Sequence, residues 1–219
     1  MYFDLYFSSW LESDFPINYI LDISNYSILI FFLYIIAKTS TGLSNKAIIF
    51  FSFAMSTPFF FNGFIIDWYI FPDQTKYIGA SREFRNSFFN FENTIRIFLE
   101  SKLKVIASSY FYNLFPTTNF ETFRSIGFIN RFIYILMIIF LIQKNLIPLS
   151  IKIFLVMSPS LALYSSVSLR ETVILVTMVF LFYNLIKKNY FFIFLLISYL
   201  WIIKFQNLII VLLPLVLYI

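Results

Sequence analysis

The chain has 219 residues, 60% of them hydrophobic and only 12% charged, about half the charge fraction of an ordinary soluble domain. It has no Cys and no His, which excludes a disulfide framework, a thiolate nucleophile and a zinc cluster and removes the commonest general base. Much of the formal net charge of +5 falls in short connections between apolar runs, so it reads as membrane-edge charge and argues against a nucleic-acid partner.

The first stretch, Met1 to Asp22, holds Asp4, Glu12, Asp14 and Asp22 and no basic residue. That is the reverse of a positively charged secretory n-region, so no cleavable signal peptide is expected. Seven apolar runs follow, at 23–37, 47–66, 126–142, 146–164, 172–186, 190–203 and 205–219. They approach the roughly 20 residues that cross a hydrocarbon core with every backbone group bonded inside a helix. The last two are separated only by Lys204 and read as a kinked pair or a tight hairpin. Pro58, Pro148, Pro159 and Pro214 lie in or near these runs, where proline is tolerated if neighbours bond the carbonyl it frees. The predicted fold is all-α, a polytopic transmembrane helix bundle of about seven spans. It forms one integral membrane domain over 1–219, with the first two spans in 23–66, a long outer loop in 67–127 and a helical bundle in 128–219. The chain stops at Ile219 inside an apolar run. A helix ending there leaves carbonyls unbonded, so a truncated product or a piece of a longer protein is expected.

Charge sets the predicted topology. The short connections holding Lys38, Lys46, Lys144, Lys187 and Lys188 contain no acid and fall on one side if the runs alternate. Positive-inside bias places that side in the cytoplasm. The N-terminus, residues 67–127, the Ser165–Glu171 connection and Lys204 then lie outside. Within the outer loop, Asp73, Tyr77, Ala80, Phe84 and Phe88 recur at helical spacing and predict an amphipathic helix in the membrane interface. Phe91, Ile95, Phe98, Leu99, Leu103, Ile106 and Tyr110 predict a second, stopping at Pro116. Thr118-Asn119-Phe120-Glu121 reads as a capping box that starts the third span.

Two clusters can carry chemistry. In the first, Asp67 and Asp73 sit where the second run leaves the membrane, with Tyr77 one turn beyond Asp73. Partial desolvation raises a carboxyl pKa and makes it a usable base for a hydroxyl. The plainer reading has Asp73 capping a helix and Asp67 ending a span. In the second, Ser165-Ser166-Val167-Ser168-Leu169-Arg170-Glu171 opens the fifth run. Ser168 and Glu171 have capping-box spacing, whereas Arg170 opposes the helix dipole. Free amides at a helix start plus an Arg suit a phosphate, and the alternative is an Arg that reaches lipid headgroups. Lys204, beside Trp201, reads as an interfacial anchor before a ligand, and Arg124 and Arg131, flanking the third run, read the same way. Asn62 and Gly63 permit close backbone approach near the outer end of the second run.

The pattern Asp73-Gln74-Thr75-Lys76-Tyr77-Ile78-Gly79-Ala80 resembles the first outer loop of the lipid-dependent, multi-span glycosyltransferases of the C-type fold. The loop of that family leads into an Arg-containing span, similar to Phe123-Arg124-Ser125-Ile126-Gly127 here. Pro159-Ser160 followed by Arg170-Glu171 is similar to a feature of membrane polysaccharide polymerases. An extra run precedes the loop, Gln74 stands in place of a second acid, and the later half of a full-length member is missing. The resemblance implies an inverting transferase that moves a sugar from a polyprenyl-phosphate donor to a lipid-linked glycan in envelope polysaccharide synthesis. Asp73 would be the catalytic base, Arg170, Lys76 and Lys204 would hold the donor phosphate, and Asp67, Tyr77 and Glu171 would support them. No cofactor is required; a divalent metal is compatible, although no ligand cluster stands out. The expected partners are the lipid-linked donor and acceptor, membrane lipids and, for an incomplete chain, another protein. The alternatives are a flippase or transporter of lipid-linked sugars and a non-catalytic or truncated subunit.

Overall fold

A computed structural model describes residues 16–41, 43–61, 73–87, 92, 95–96, 99, 103–117, 122–147 and 149–218 of the chain. All regular structure among them is helical. Helix α1 (Pro16–Ile36) runs into a π-helical turn (Ala37–Thr41), and α2 (Asn45–Ala54) and α3 (Thr57–Phe61) follow. Next come α4 (Asp73–Ser87), α5 (Leu103–Asn113) and α6 (Phe123–Gln143). The remainder is α7 (Leu149–Met157), α8 (Pro159–Ser166), α9 (Glu171–Ile186) and α10 (Tyr190–Tyr218).

Helix α6 is the axis of the bundle: 78% of its apolar window is buried, against 28% for α1 and 11% for the first half of α10. It packs against α1, α3, α7, α8 and α9. The outward faces of α1 and α10 carry Ile20, Phe31, Tyr190, Phe191, Phe194 and Trp201, all exposed, as expected of helices that meet lipid. The helices Tyr19–Thr39, Phe123–Gln143 and Tyr190–Asn207 are long and apolar enough to cross a membrane. A fourth span results if α8 and α9, bent by 108°, are taken together. This is consistent with a membrane protein; among the described residues three or four candidate spans meet the length and composition test, fewer than the seven expected.

Proline interrupts two of the other runs. The run 47–66 breaks at Met55-Ser56, ahead of Pro58, and the run 146–164 breaks at Ser158, ahead of Pro159. A proline cannot donate to the carbonyl four residues back, which is Ala54 in one case and Leu155 in the other. The Ala54 carbonyl accepts from Arg131 Nε at 2.9 Å and from Thr57 Oγ1 at 3.2 Å. The Leu155 carbonyl accepts from Tyr134 Oη at 2.9 Å. Helix α6 thus supplies side-chain donors that satisfy buried carbonyls no helix can bond. The last two runs join in α10, with Lys204 in extended backbone (φ −160°, ψ 87°) at the kink.

Hydrogen bonds fix the relative directions of the helices. Asp22 near the start of α1 meets Thr122 and Arg124 at the start of α6, so these helices run parallel. Ser168, just before α9, donates to the Phe123 carbonyl, so α9 begins at the same end. Helices α6 and α9 finish at the other end with left-handed residues, Asn145 (φ 54°) and Lys188 (φ 56°). In both, paired bonds close the last turn, Asn145 N–H to Ile142 and Leu146 N–H to Leu141 in one, Lys188 N–H to Leu185 and Asn189 N–H to Asn184 in the other. These are Schellman caps, and Lys144 and Lys187 beside them favour the negative end of the helix dipole.

Helix α4 forms as its spacing predicts, but its buried face looks into the protein. Gln74, Thr75, Tyr77, Ile78, Ser81 and Phe84 are buried against α5 and α6. Arg85 ties α4 to the end of α5, bonding Asn113 Oδ1 at 3.1 Å and the carbonyls of Thr117 at 2.5 Å and Phe115 at 3.2 Å. Burial lowers the pKa of its guanidinium. In the second predicted interfacial helix, Ile95, Leu99 and Tyr110 are exposed and Ile106 is buried. Phe88, Phe91, Phe98 and the Thr118–Glu121 capping box lie outside the described residues. Helix α6 is capped by Thr122, whose Oγ1 accepts from the Ser125 amide.

Candidate functional site

The bundle end where α1, α6 and α9 begin also receives α4 and the kink of α10. Its centre is the connection 167–170, where the chain turns from α8 into α9. Donors from two helices meet its carbonyls: Asn130 Nδ2 bonds both Val167 and Leu169 at 2.7 Å, and Tyr112 Oη bonds Leu169 at 3.0 Å. Gln74 Oε1 accepts the Ser168 N–H at 2.8 Å. The connection is therefore held from α4, α5 and α6 at once, and it delivers Arg170 and Glu171 to fixed places.

The capping-box reading of Ser168 and Glu171 is corrected. Arg170 occupies the cap position of α9 without a side-chain cap bond, and the Ser168 hydroxyl is spent on the Phe123 carbonyl. Arg170 Nη1 donates at 3.0 Å to the carbonyl of Ile203, the last residue before the Lys204 kink. The cation that opposes the dipole of α9 thus satisfies the negative end of the first half of α10. Lys204 turns back to Glu171, with Nζ 3.7 Å from Oε1.

Tyr77 links this group to α4. Its ring is buried against Val167 and Leu169, and burial pushes its phenol up to about 12, with the Arg170 guanidinium opposing and the Glu171 and Asp73 carboxylates adding. The segments 73–77, 170–171 and 203–204, far apart in sequence, thus share one end of the bundle. Asp73 itself opens α4 on its exposed side. Its carboxylate pairs with Lys76 at 2.7 Å, and the two side chains are 60% and 59% exposed. Helix α4 turns residues 74, 77 and 78 inward and residues 73 and 76 outward. Asp67, Asn62 and Gly63 lie outside the described residues.

Two buried ionic centres hold residues read from sequence otherwise, Asp22 as part of an acidic N-terminal stretch and Arg124 and Arg131 as interfacial anchors, Arg124 also within the resemblance. Asp22 and Arg124 form a buried ion pair at 3.3 Å. Thr122 bonds Asp22 Oδ1 at 2.5 Å, and Tyr19 bonds Arg124 Nη2 at 3.2 Å and lies under its guanidinium. Arg131, expected to flank its span, is fully buried in the body of α6. Besides Ala54, it reaches Val156 O at 2.9 Å and Ser165 Oγ at 2.7 Å. The available signal was Asn130-Arg131 followed by Tyr134 inside an apolar run, since polar residues at that depth face protein. Among the described residues, no group of three or more Asp, Glu, His or Cys gathers to hold a metal.

No protein-family model matches the chain, and neither a curated protein nor a solved structure matches it. The functional reading therefore rests on the geometry of this end.

Proposed function

We propose that the chain is a multi-pass membrane glycosyltransferase that moves a sugar from a polyprenyl-phosphate donor to a lipid-linked glycan at this end of the bundle. The observation that carries the proposal is the gathering of Asp73, Lys76, Tyr77, Arg170, Glu171 and Lys204 from three distant segments beside a rigidly held break in a span. Arg170, Lys204 and Lys76 supply the positive charge that a lipid phosphate needs. The acceptor hydroxyl forms its bond to the anomeric carbon as the bond to the phosphate oxygen breaks. Asp73 takes the hydroxyl proton, and the polyprenyl phosphate leaves against the cations. The Lys-only end is cytoplasmic in this reading and the site end faces outward, in a bacterial inner membrane. Transfer in proteoliposomes should fall by about two to four orders of magnitude in Asp73→Asn. Arg170→Lys should weaken donor binding, since an ammonium cannot grip a phosphate with two parallel bonds. Transfer unchanged in both variants refutes the proposal.

The breaks favour a second reading, movement of a lipid-linked sugar across the bilayer. Interrupted helices around a buried charge are the usual build of transport sites, and three such breaks surround Arg131. Vesicles that translocate a labelled lipid-linked sugar without extending it would select this reading.

A further inference from the structure

Helix α10 carries an interruption that its own sequence does not explain. Lys204 leaves helical geometry (φ −160°, ψ 87°) between two α-helical halves. A sharp kink has a small set of causes: a proline, a glycine, a π-bulge, or a side chain inserted into the backbone ladder. The stretch 190–213 contains neither proline nor glycine, and it is α-helical on both sides of Lys204. Pro214 frees the carbonyl of Ile210, which lies past the kink. The remaining cause is a side chain, and one is present. Arg170 Nη1 donates at 3.0 Å to the carbonyl of Ile203, the residue before the break.

The Ile203 carbonyl thus has a choice of two donors. In a continuous helix it would accept from the amide of Asn207, four residues on; in the kinked helix it accepts from Arg170. Ile203 is buried, and a buried carbonyl left without a donor is costly. One donor leaves only as the other takes over, so the kinked and continuous helices are alternatives. A second tie comes from the same place, since Lys204 Nζ lies 3.7 Å from Oε1 of Glu171. Both ties run to the dipeptide Arg170-Glu171, and both cations are assigned above to the donor phosphate. A phosphate draws on each of them. Its charge-assisted bonds are about twice as strong as a bond to a neutral carbonyl, and it competes with the Glu171 carboxylate for Lys204.

We infer that the kink at Lys204 is a phosphate-responsive hinge: when a phosphate takes Arg170, the Ile203 carbonyl returns to its own helix, α10 straightens and its second half is redirected. The trigger rests on the lipid-phosphate reading above; the dependence of the kink on Arg170 does not.

The test uses the full chain in nanodiscs. It has no cysteine, so Phe194→Cys and Ile209→Cys, both exposed and on opposite sides of the kink, take one pair of spin labels. Pulsed EPR reads their separation, and in a continuous helix the two backbone positions lie about 22 Å apart along the axis. Arg170→Met should move the distance distribution to that of a continuous helix without any ligand. Farnesyl phosphate should produce the same shift with Arg170 in place, and farnesol, which has the chain without the phosphate, should produce none. Asn207→Pro is the converse variant. Proline is tolerated in the first turn of the second half but cannot join a ladder across Lys204. The separation should then stay at its kinked value with farnesyl phosphate bound, which keeps the test decisive if Arg170→Met fails to fold. An unmoved distribution in folded Arg170→Met, or a full response in Asn207→Pro, overturns the hinge. Native mass spectrometry of the same samples scores binding apart from movement. Farnesyl phosphate retained without any shift overturns the hinge alone. Farnesyl phosphate not retained, with Arg170→Met shifted, refutes the lipid-phosphate reading and the trigger that rests on it.

Discussion

Tyr77 shows how far a single position can be read. Its spacing from Asp73 marks it as a member of the outer cluster, and it does sit beside Arg170 and Glu171. Spacing could not show that its ring is buried against Val167 and Leu169, because that contact depends on where a break about ninety residues later comes to rest. The burial has a titration consequence. The phenol, ordinarily near 10, rises to about 12, so the folded state resists forming tyrosinate where the unfolded state does not. The stability this contributes is complete below pH 10 and is lost as pH rises through about 12. Thermal unfolding of Tyr77→Phe should therefore lose less stability than wild type between those values. Parallel curves would show that Tyr77 is solvated. Asp73 teaches the opposite lesson: its spacing was legible, but its exposure follows from which face of α4 packs inward, and residues 74, 77 and 78 decide that.

At the scale of elements, hydrophobic length predicts unbroken helices where a proline interrupts them. Pro58 and Pro159 were both visible, and so was the rule that a neighbour must bond the carbonyl four residues back. What could not be read was the neighbour. Arg131 and Tyr134 lie one turn apart on α6 and serve the two breaks together, a pairing set only by tertiary packing. Helical class was legible along the described apolar runs and in α4, since apolar periodicity and length fix it locally, whereas the π-helical turn Ala37–Thr41 was not. Arg131→Met should destabilise the fold by about 3 kcal/mol or more, because each buried acceptor left unbonded costs about 1–3 kcal/mol. In a Pro58→Ala background the loss should shrink by about 1 kcal/mol, since residue 58 then offers its own N–H to Ala54. Unfolding measured over the four-protein cycle reads this coupling directly. Strict additivity would mean that Arg131 does not serve that carbonyl.

At the scale of the whole molecule, the ends differ in kind. One is closed by Schellman caps and carries Lys144, Lys187 and Lys188, all exposed. The other gathers acids, bases, tyrosines and a span break, held by Gln74, Asn130 and Tyr112. The sequence distinguished the two ends through its Lys-only connections, yet it could not assemble the second from segments about thirty to one hundred residues apart. The proposed sidedness rests on the same asymmetry. Glu83→Cys, exposed on α4, should react with an impermeant thiol reagent from outside the cell, and Lys187→Cys only from inside.

The central claim is that the mixed-charge end, and not the Lys-rich end, grips the phosphate of a lipid carrier. Native mass spectrometry of the purified chain with polyprenyl phosphate measures this most directly, using Arg170→Ala at one end and Lys187→Ala at the other. Retained lipid should fall by about tenfold or more in Arg170→Ala, as expected for losing a charge-assisted bond, and stay at the wild-type level in Lys187→Ala. Equal retention in both variants, or loss confined to Lys187→Ala, would contradict it.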